Sequence, residues 1–386
     1  MSNEKNVPEV RFEGFYNEWY CEKVANIAPL QRGFDLPKSK MKSGEYPVVM
    51  SNGINGFHNT FKSKAPGIVT GRSGTIGNLH YIESDYWPHN TSLWVTNFHG
   101  NVPLFVFYLY VKLDLKRFGS GSGVPTLNRN DVHDQHITFP KNIKEQSLVG
   151  NYFQKLDTLI NQHQQKHDKL SNLKKAMLEK MFPKAGETVP EIRFDGFSGE
   201  WESKEIRELA DIVRGASPRP IDDPKWFDKS SKVGWLRIRD VTEQDGRIHH
   251  LEQRISKEGE SKTRVLHESH LLLSIAASVG KPVINYVSTG VHDGFLIFRQ
   301  PNFDMEFMYQ WLKSFESKWQ QYGQPGSQVN LNSDIVKNQV VLVPCRDEQI
   351  LIGDYLKKLD RLINQHKQQV TKLKNIKQAC LDKMFV

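Results

Sequence analysis

Residues 152–182 return as residues 355–385, with 19 of 31 positions identical. Chance does not produce such a match, and a duplicated element of this length restricts the chain to folds that use one unit twice. A second repeat opens each half. Val7-Pro8-Glu9-Val10-Arg11-Phe12-Glu13-Gly14-Phe15 is answered by Val189-Pro190-Glu191-Ile192-Arg193-Phe194-Asp195-Gly196-Phe197, and Glu18-Trp19 by Glu200-Trp201. The openings are offset by 182 residues and the closing segments by 203, so the second half carries 21 extra residues in between. The middles diverge almost completely. They still thread together: 71–77 falls on 274–280, His89-Asn90 on His292-Asp293, and Leu127-Asn128 on Leu331-Asn332 with one residue of slippage.

The closing segment reads as a long helix. Val149, Leu156, His163, Leu170 and Met177 recur every seven residues, and Tyr152, Leu159 and Leu173 fill the position three later, with Lys166 as a polar break. That is the a/d stripe of a coiled coil. Ile352, Leu359, His366, Leu373 and Cys380 repeat it in the second half, and Pro183 stops the first helix. At ~1.5 Å per residue such a helix is a rod of roughly 57 Å. Its stripe must be buried, and the other half supplies a matching one. Two-fold pseudosymmetry pairs the helices antiparallel, so His163 and His366, near the midpoints, are expected to face each other as a polar layer that fixes register.

The variable middles alternate short runs rich in Val, Ile, Phe and Tyr with clusters of Gly, Asn, Ser and Pro, and show helix-length periodicity near 102–117 and 304–322. Each reads as an α+β unit. The expected organisation is a globular unit at 1–143, helix and linker at 144–188, a second globular unit at 189–343 and a second helix at 344–386. A length of 386 residues accommodates this, at about 100–200 residues per domain. The three cysteines, Cys21, Cys345 and Cys380, have neither disulfide nor zinc spacing, and the 14 histidines show no metal pattern. The longest apolar run, 102–111, is half of a membrane span, and the first residues lack an apolar leader. A soluble, cytoplasmic protein without a membrane partner is expected.

A net charge of +8 suits a polyanionic partner. The surplus is uneven: +3 over 1–143, +4 over 144–184, −3 over 185–344 and +4 over 345–386. Local clusters therefore matter more than the total. In the first half the candidate DNA contacts are Arg32, Lys38, Asn52, Asn55, Lys62, the loop residues Arg72, Ser73 and Thr75, then Ser122, Asn128 and Arg129. In the second half they are Arg214, Ser217, Arg219, Arg237, Arg239, Lys262, Arg264, Lys281, Ser327, Asn330 and Asn332. Glycines around Arg72 let backbone approach a duplex, or simply make a tight turn. Asn128 and Asn332 either touch DNA or cap the segment that follows them. No Walker ending, Asn-Pro-Pro-Tyr, Phe-x-Gly-x-Gly or nucleophile–base arrangement is present, so neither catalytic nor metal residues are assigned.

Two unlike globular units, each joined to one of two nearly identical helices, resemble the DNA-specificity subunit of Type I restriction-modification enzymes. The likeness covers the whole chain. Its most specific parts are Lys-Leu-Asp-x-Leu-Ile-Asn-Gln-His at 155–163 and 358–366 and the repeated Pro-Glu-Val/Ile-Arg-Phe-x-Gly-Phe openings. The resemblance implies two target-recognition domains, each reading half of a bipartite double-stranded DNA target, with the helices acting as spacer and docking surface. It implies a non-catalytic subunit assembled with two modification subunits that use S-adenosylmethionine, and usually with two ATP-dependent restriction subunits. Cofactors (S-adenosylmethionine, ATP and Mg) are then expected on those partners and none on this chain. The alternative is a coiled-coil scaffold whose globular ends bind proteins.

Overall fold

The computed structural model describes residues 6–120, 125–276, 279–322 and 331–386. Ser122, Ser327 and Asn330, among the candidate contacts, lie outside them. Four helices organise the chain: α1 (Pro103–Leu113), α2 (Ile143–Lys180), α3 (Met305–Phe315) and α4 (Arg346–Met384). The two long ones run for 38 and 39 residues. Packing divides the chain by exchange rather than in sequence order. One unit is Met1–Gln165 with His366–Val386, the other Lys166–Gln365. Each unit thus owns the first half of its own long helix and the last half of the other.

In the first unit a four-stranded antiparallel sheet runs in the order Leu30–Arg32, Ser92–Val95, Gly67–Gly71, Leu79–Ile82. A three-stranded sheet (Gly53–His58, Tyr46–Met50, Trp87–Pro88) adjoins it in sequence, and Tyr20–Lys23 pairs with His136–Phe139. Pro103 starts α1, where its missing N–H costs nothing. The helix is apolar nearly all round and buried on most sides, including Phe105, Tyr108 and Tyr110. Phe385 closes this core, with ring centroids 6.3 Å from Trp19, 5.6 Å from Phe105 and 5.8 Å from Phe153. Burying such a ring stabilises by about 1.5–3 kcal/mol, so the end of the chain helps to hold the first unit together.

The second unit repeats the plan. Its five-stranded sheet runs Asp211–Arg214, Phe295–Arg299, Leu271–Ser274, Pro282–Asn285, and then adds Arg247–Ile248 in parallel. A three-stranded sheet (Gly234–Trp235, Thr289–Val291, Arg264–Leu266) has no counterpart of the same order among the described residues of the first unit. Phe182 fills the place of Phe385, with its ring 6.1 Å from Trp201 and 5.4 Å from Phe307.

The helix halves pair antiparallel. In the first unit Tyr152 meets Cys380 at 3.5 Å, Asp157 meets Lys377 at 2.6 Å, and His163 Nδ1 meets His366 Nδ1 at 2.9 Å, one number rising as the other falls. The histidines face each other as expected. The equivalent pair in the second unit, Lys174 and Asp360, forms the same ion pair. A side chain from the short helix braces each aspartate: Tyr108 Oη donates to Asp157 over 2.8 Å, and Gln310 Nε2 donates to Asp360 over 2.7 Å.

The repeated openings are straps. Arg11 donates to the Glu145 carboxylate over 2.6 and 2.9 Å and to the Asn17 carbonyl over 2.7 Å. Arg193 treats Glu348 and Gly199 in the same way, at 2.7, 2.8 and 2.6 Å. The Val10 N–H bonds the Lys383 carbonyl, and the Ile192 N–H bonds the Lys180 carbonyl, both at 2.9 Å. Each opening therefore ties the start of one long helix to the end of the other. Bidentate Arg–carboxylate geometry explains why this arginine is the same in both halves.

Candidate nucleic-acid interface

The threading of the divergent middles holds at the level of hydrogen bonds. The Gly77 N–H closes on the Gly71 carbonyl at 3.0 Å, and the Gly280 N–H on the Ser274 carbonyl at 2.8 Å. The Leu127 N–H reaches the Arg72 carbonyl at 2.8 Å, and the Leu331 N–H reaches the Ile275 carbonyl at 3.3 Å. Arg72 N–H bonds the Thr91 carbonyl at 2.9 Å, as Ile275 N–H bonds that of Gly294 at 2.8 Å. The two units thus build the same strand ends and the same turn, with different side chains on it.

In the first unit that turn gathers Arg32, Asn90, Arg72 and Ser73. Arg32 Nε donates to the Asn90 carbonyl over 3.3 Å, and the Asn90 amide donates to the Asp35 carboxylate. Ser73 N–H also bonds the Thr91 carbonyl, at 3.2 Å, and Ser73 bridges to Thr126. The Thr91 hydroxyl accepts from the Ser51 N–H at 3.4 Å, which brings the 51–53 turn and its exposed Asn52 alongside. Thr75 lies in the exposed tip of the 71–77 loop. Lys62 projects 5.6 Å over the Phe34 ring and 5.2 Å over Trp87, a cation–π seat that holds its charge at this surface. Asn55 is exposed on Gly53–His58, and Lys38 begins an exposed 3₁₀ turn. Arg129 opens the short helix Arg129–His133 that Asn128 caps by accepting from the Asn130 N–H at 3.1 Å.

The second unit collects a tighter basic cluster. Arg214 Nε donates to the Asp293 carbonyl over 2.6 Å. The Asp293 carboxylate accepts from Ser217 Oγ at 2.7 Å and from Arg219 Nη2 at 2.6 Å. Burial alone would raise this carboxyl, but the Ser217 hydroxyl and the Arg219 charge outweigh it and hold it below the ordinary carboxylate range. Arg264 Nε donates to the Arg214 carbonyl over 2.7 Å, and Thr263 Oγ1 ties the neighbouring Ala216 and Val291 carbonyls, placing Lys262 beside them in the chain. Arg214, Ser217, Arg219 and Arg264 are thus brought together by one turn.

Other candidates are occupied elsewhere. Arg237 grips Asp240 through Nε at 3.0 Å and Nη2 at 2.7 Å, and lies 3.6 Å from Glu252. The Asp240 carboxylate also accepts from the Arg237 backbone N–H at 2.9 Å, at the start of Ile238–Glu243. Arg239 pairs with Glu243 at 2.6 Å. Lys281 lines a small cleft with Asp245, Tyr309 and Lys313. Asn332 caps Ser333–Lys337 by accepting from the Ile335 N–H at 2.8 Å, as Asn128 does in the first unit. Sequence reasoning missed Asn90 and Asp293 as parts of the site. A signal was present: Arg32-Gly33 and Arg214-Gly215 stand at the same 182-residue offset as the openings.

These features define a class: a duplicated chain whose two units share a frame and differ in the side chains at an exposed basic turn. A family model for the Type I restriction modification DNA specificity domain matches residues 16–172 and 198–375. The chain belongs to that family. It is 21% identical over 300 residues to the specificity subunit of the Type I restriction enzyme MjaVIII of Methanocaldococcus jannaschii, spanning 69% of this chain and 67% of that one. The fold is similar to the crystal structure of the S subunit of a Type I restriction-modification system from M. genitalium, with a TM-score of 0.70, 15% identity and coverage of 98% and 99% of the two chains. It is also similar to a chain from a structural study of complex assembly and conformational transition in the type I R-M system, with a TM-score of 0.51, 16% identity and coverage of 95% and 97%. Among the described residues no helix is long and apolar enough to cross a membrane.

Proposed function

We propose that the chain reads an asymmetric, bipartite double-stranded DNA target, one half-site per unit, as the sequence-recognising member of a Type I restriction-modification complex. The carrying observation is the common turn. The Asn90 turn presents Arg32 and Arg72, the Asp293 turn presents Arg214, Arg219 and Arg264, and the frame behind them is the same. An equal frame with unequal side chains suits two readers of unlike sequence, since base edges are told apart by donor and acceptor pattern. The lengths of α2 and α4 set the number of unread base pairs between half-sites. Chemistry lies with the partners: two modification subunits carrying S-adenosylmethionine dock on the repeated helices, and two restriction subunits bring ATP and Mg. This chain binds no cofactor and catalyses nothing, and it acts in the cytoplasm.

Mapping methylated bases in DNA from cells carrying the chain with its modification subunit tests the reading. A two-part motif with unlike halves and a fixed gap is expected. The purified complex should bind duplex DNA with strong salt dependence, losing about 10³–10⁵ in affinity between 50 and 200 mM salt if it neutralises six to ten phosphates. A complex that methylates nothing sequence-specifically, or a chain that cuts DNA unaided, defeats the reading.

A further inference from the structure

Arg32 and Arg214 are a matched pair inside the divergent part of the molecule. Each donates Nε to the backbone carbonyl of the turn residue, Asn90 at 3.3 Å and Asp293 at 2.6 Å. Each turn residue is braced by the side chain three positions after the arginine, with donor and acceptor exchanged: Asn90 donates to Asp35, and Asp293 accepts from Ser217. Each arginine is followed by a glycine, Gly33 or Gly215, where a Cβ would strike the carbonyl oxygen of His89 or His292. The glycine is needed for the close approach of turn and strand, and that approach brings the carbonyl to the guanidinium. Both arginines are exposed, and neither Nη group of either has a hydrogen-bond partner among the described residues. A guanidinium fixed at Nε presents its two Nη groups as a pre-aimed fork, with less freedom left to lose on binding.

The surroundings are not matched. The residue at the place of Arg72 is Ile275, and Arg219 stands where the offset puts Pro37. Two readers of unlike half-sites meet only one constant feature, the sugar-phosphate backbone. We propose that Arg32 and Arg214 are equivalent phosphate anchors that set each unit's register on the duplex, leaving base reading to unmatched neighbours such as Arg72 and Arg219. This rests on the DNA reading above. The basic neighbours, Lys62 and Arg72 in one unit and Arg219 and Arg264 in the other, favour a polyanion over a protein partner at this turn.

The test uses the full chain copurified with its modification subunits and a random-sequence duplex as probe. Arg32→Ala and Arg214→Ala are each expected to weaken binding about tenfold, the worth of a hydrogen bond to a charged group. Each should also lower the slope of log affinity against log salt by about 0.9. The motif recovered from a randomised duplex pool should stay unchanged at every position. Arg32→Lys and Arg214→Lys should keep the salt slope, because a phosphate accepts a point charge. A motif relaxed at one base position makes that arginine a base reader and overturns the proposal, as does an unchanged salt slope. Loss of the modification subunits from either variant overturns it in favour of a protein contact. Absence of salt-dependent binding by the unsubstituted complex defeats the DNA reading itself, and is seen before any variant is compared.

Discussion

Asp360 has three partners in a place where water barely reaches. Lys174 Nζ and Gln310 Nε2 donate to it, and Arg247 Nη2 lies 3.5 Å away. Burial pushes its carboxyl up, but the Lys174 charge and the two hydrogen bonds prevail and hold it below its ordinary 3.8. A carboxylate lowered in the fold contributes stability that is complete above its unfolded value and disappears as pH falls through the folded one. The second unit is therefore expected to lose stability below about pH 3.8 more steeply than Asp360→Asn does, read as urea midpoints at a series of pH values. Parallel curves would exclude the linkage. Lys174 carries the opposite burden, because burial pushes its ammonium down against the pull of Asp360. Lys174→Met leaves the buried carboxylate with Gln310 and the more distant Arg247 and should cost up to about 3–5 kcal/mol, whereas Lys174→Met with Asp360→Leu should recover most of that. Hydrogen exchange at amides of the second unit measures both, and a double variant as weak as the single would refute the account.

At the scale of elements, the histidine layer shows what a heptad reading can and cannot deliver. His163 and His366 hold a positions seven residues from leucines, so spacing alone brings them opposite one another once the helices run antiparallel. The hydrogen bond between their Nδ1 atoms, at 2.9 Å, ties one ring to the other. Replacing both with leucine extends the apolar stripe and should raise the first unit's thermal stability by about 1 kcal/mol, while either single leucine leaves a half-buried imidazole facing methyl groups and falls below the double. Singles that simply sum to the double would mean that the rings are not coupled. The sheets were less legible. Short strands such as Gly67–Gly71 announce themselves by apolar, β-branched runs, but their order does not. The 182-residue offset reaches Arg32-Gly33, yet the turn those residues meet follows the 203-residue offset. An insertion lies between the two, so the latch becomes visible only when strand pairing brings the registers together. Arg237 and Arg239 stand among the candidate contacts on residue type alone, and the fold pairs them with Asp240 and Glu243, three and four residues further on.

For the whole molecule, the exchange of helix halves has a mechanical consequence. Phe385 sits in the core of the first unit and Phe182 in that of the second, so neither long helix can change length without meeting fixed anchors at both ends. The pairs Asp157–Lys377 and Lys174–Asp360 pin the register of each antiparallel half. Four residues inserted into α2 between those pins, with four at the matching stretch of α4, preserve every anchor and lengthen each helix by about 6 Å. Along a duplex that is just under two base-pair steps of about 3.4 Å. The methylated motif is then expected to keep both half-sites and gain one or two unread base pairs. The same insertion in α2 alone leaves the partner helix short and should destabilise the fold instead, visible as a lowered thermal midpoint. A matched insertion that folds normally and leaves the gap unchanged would show that something other than helix length sets the spacing.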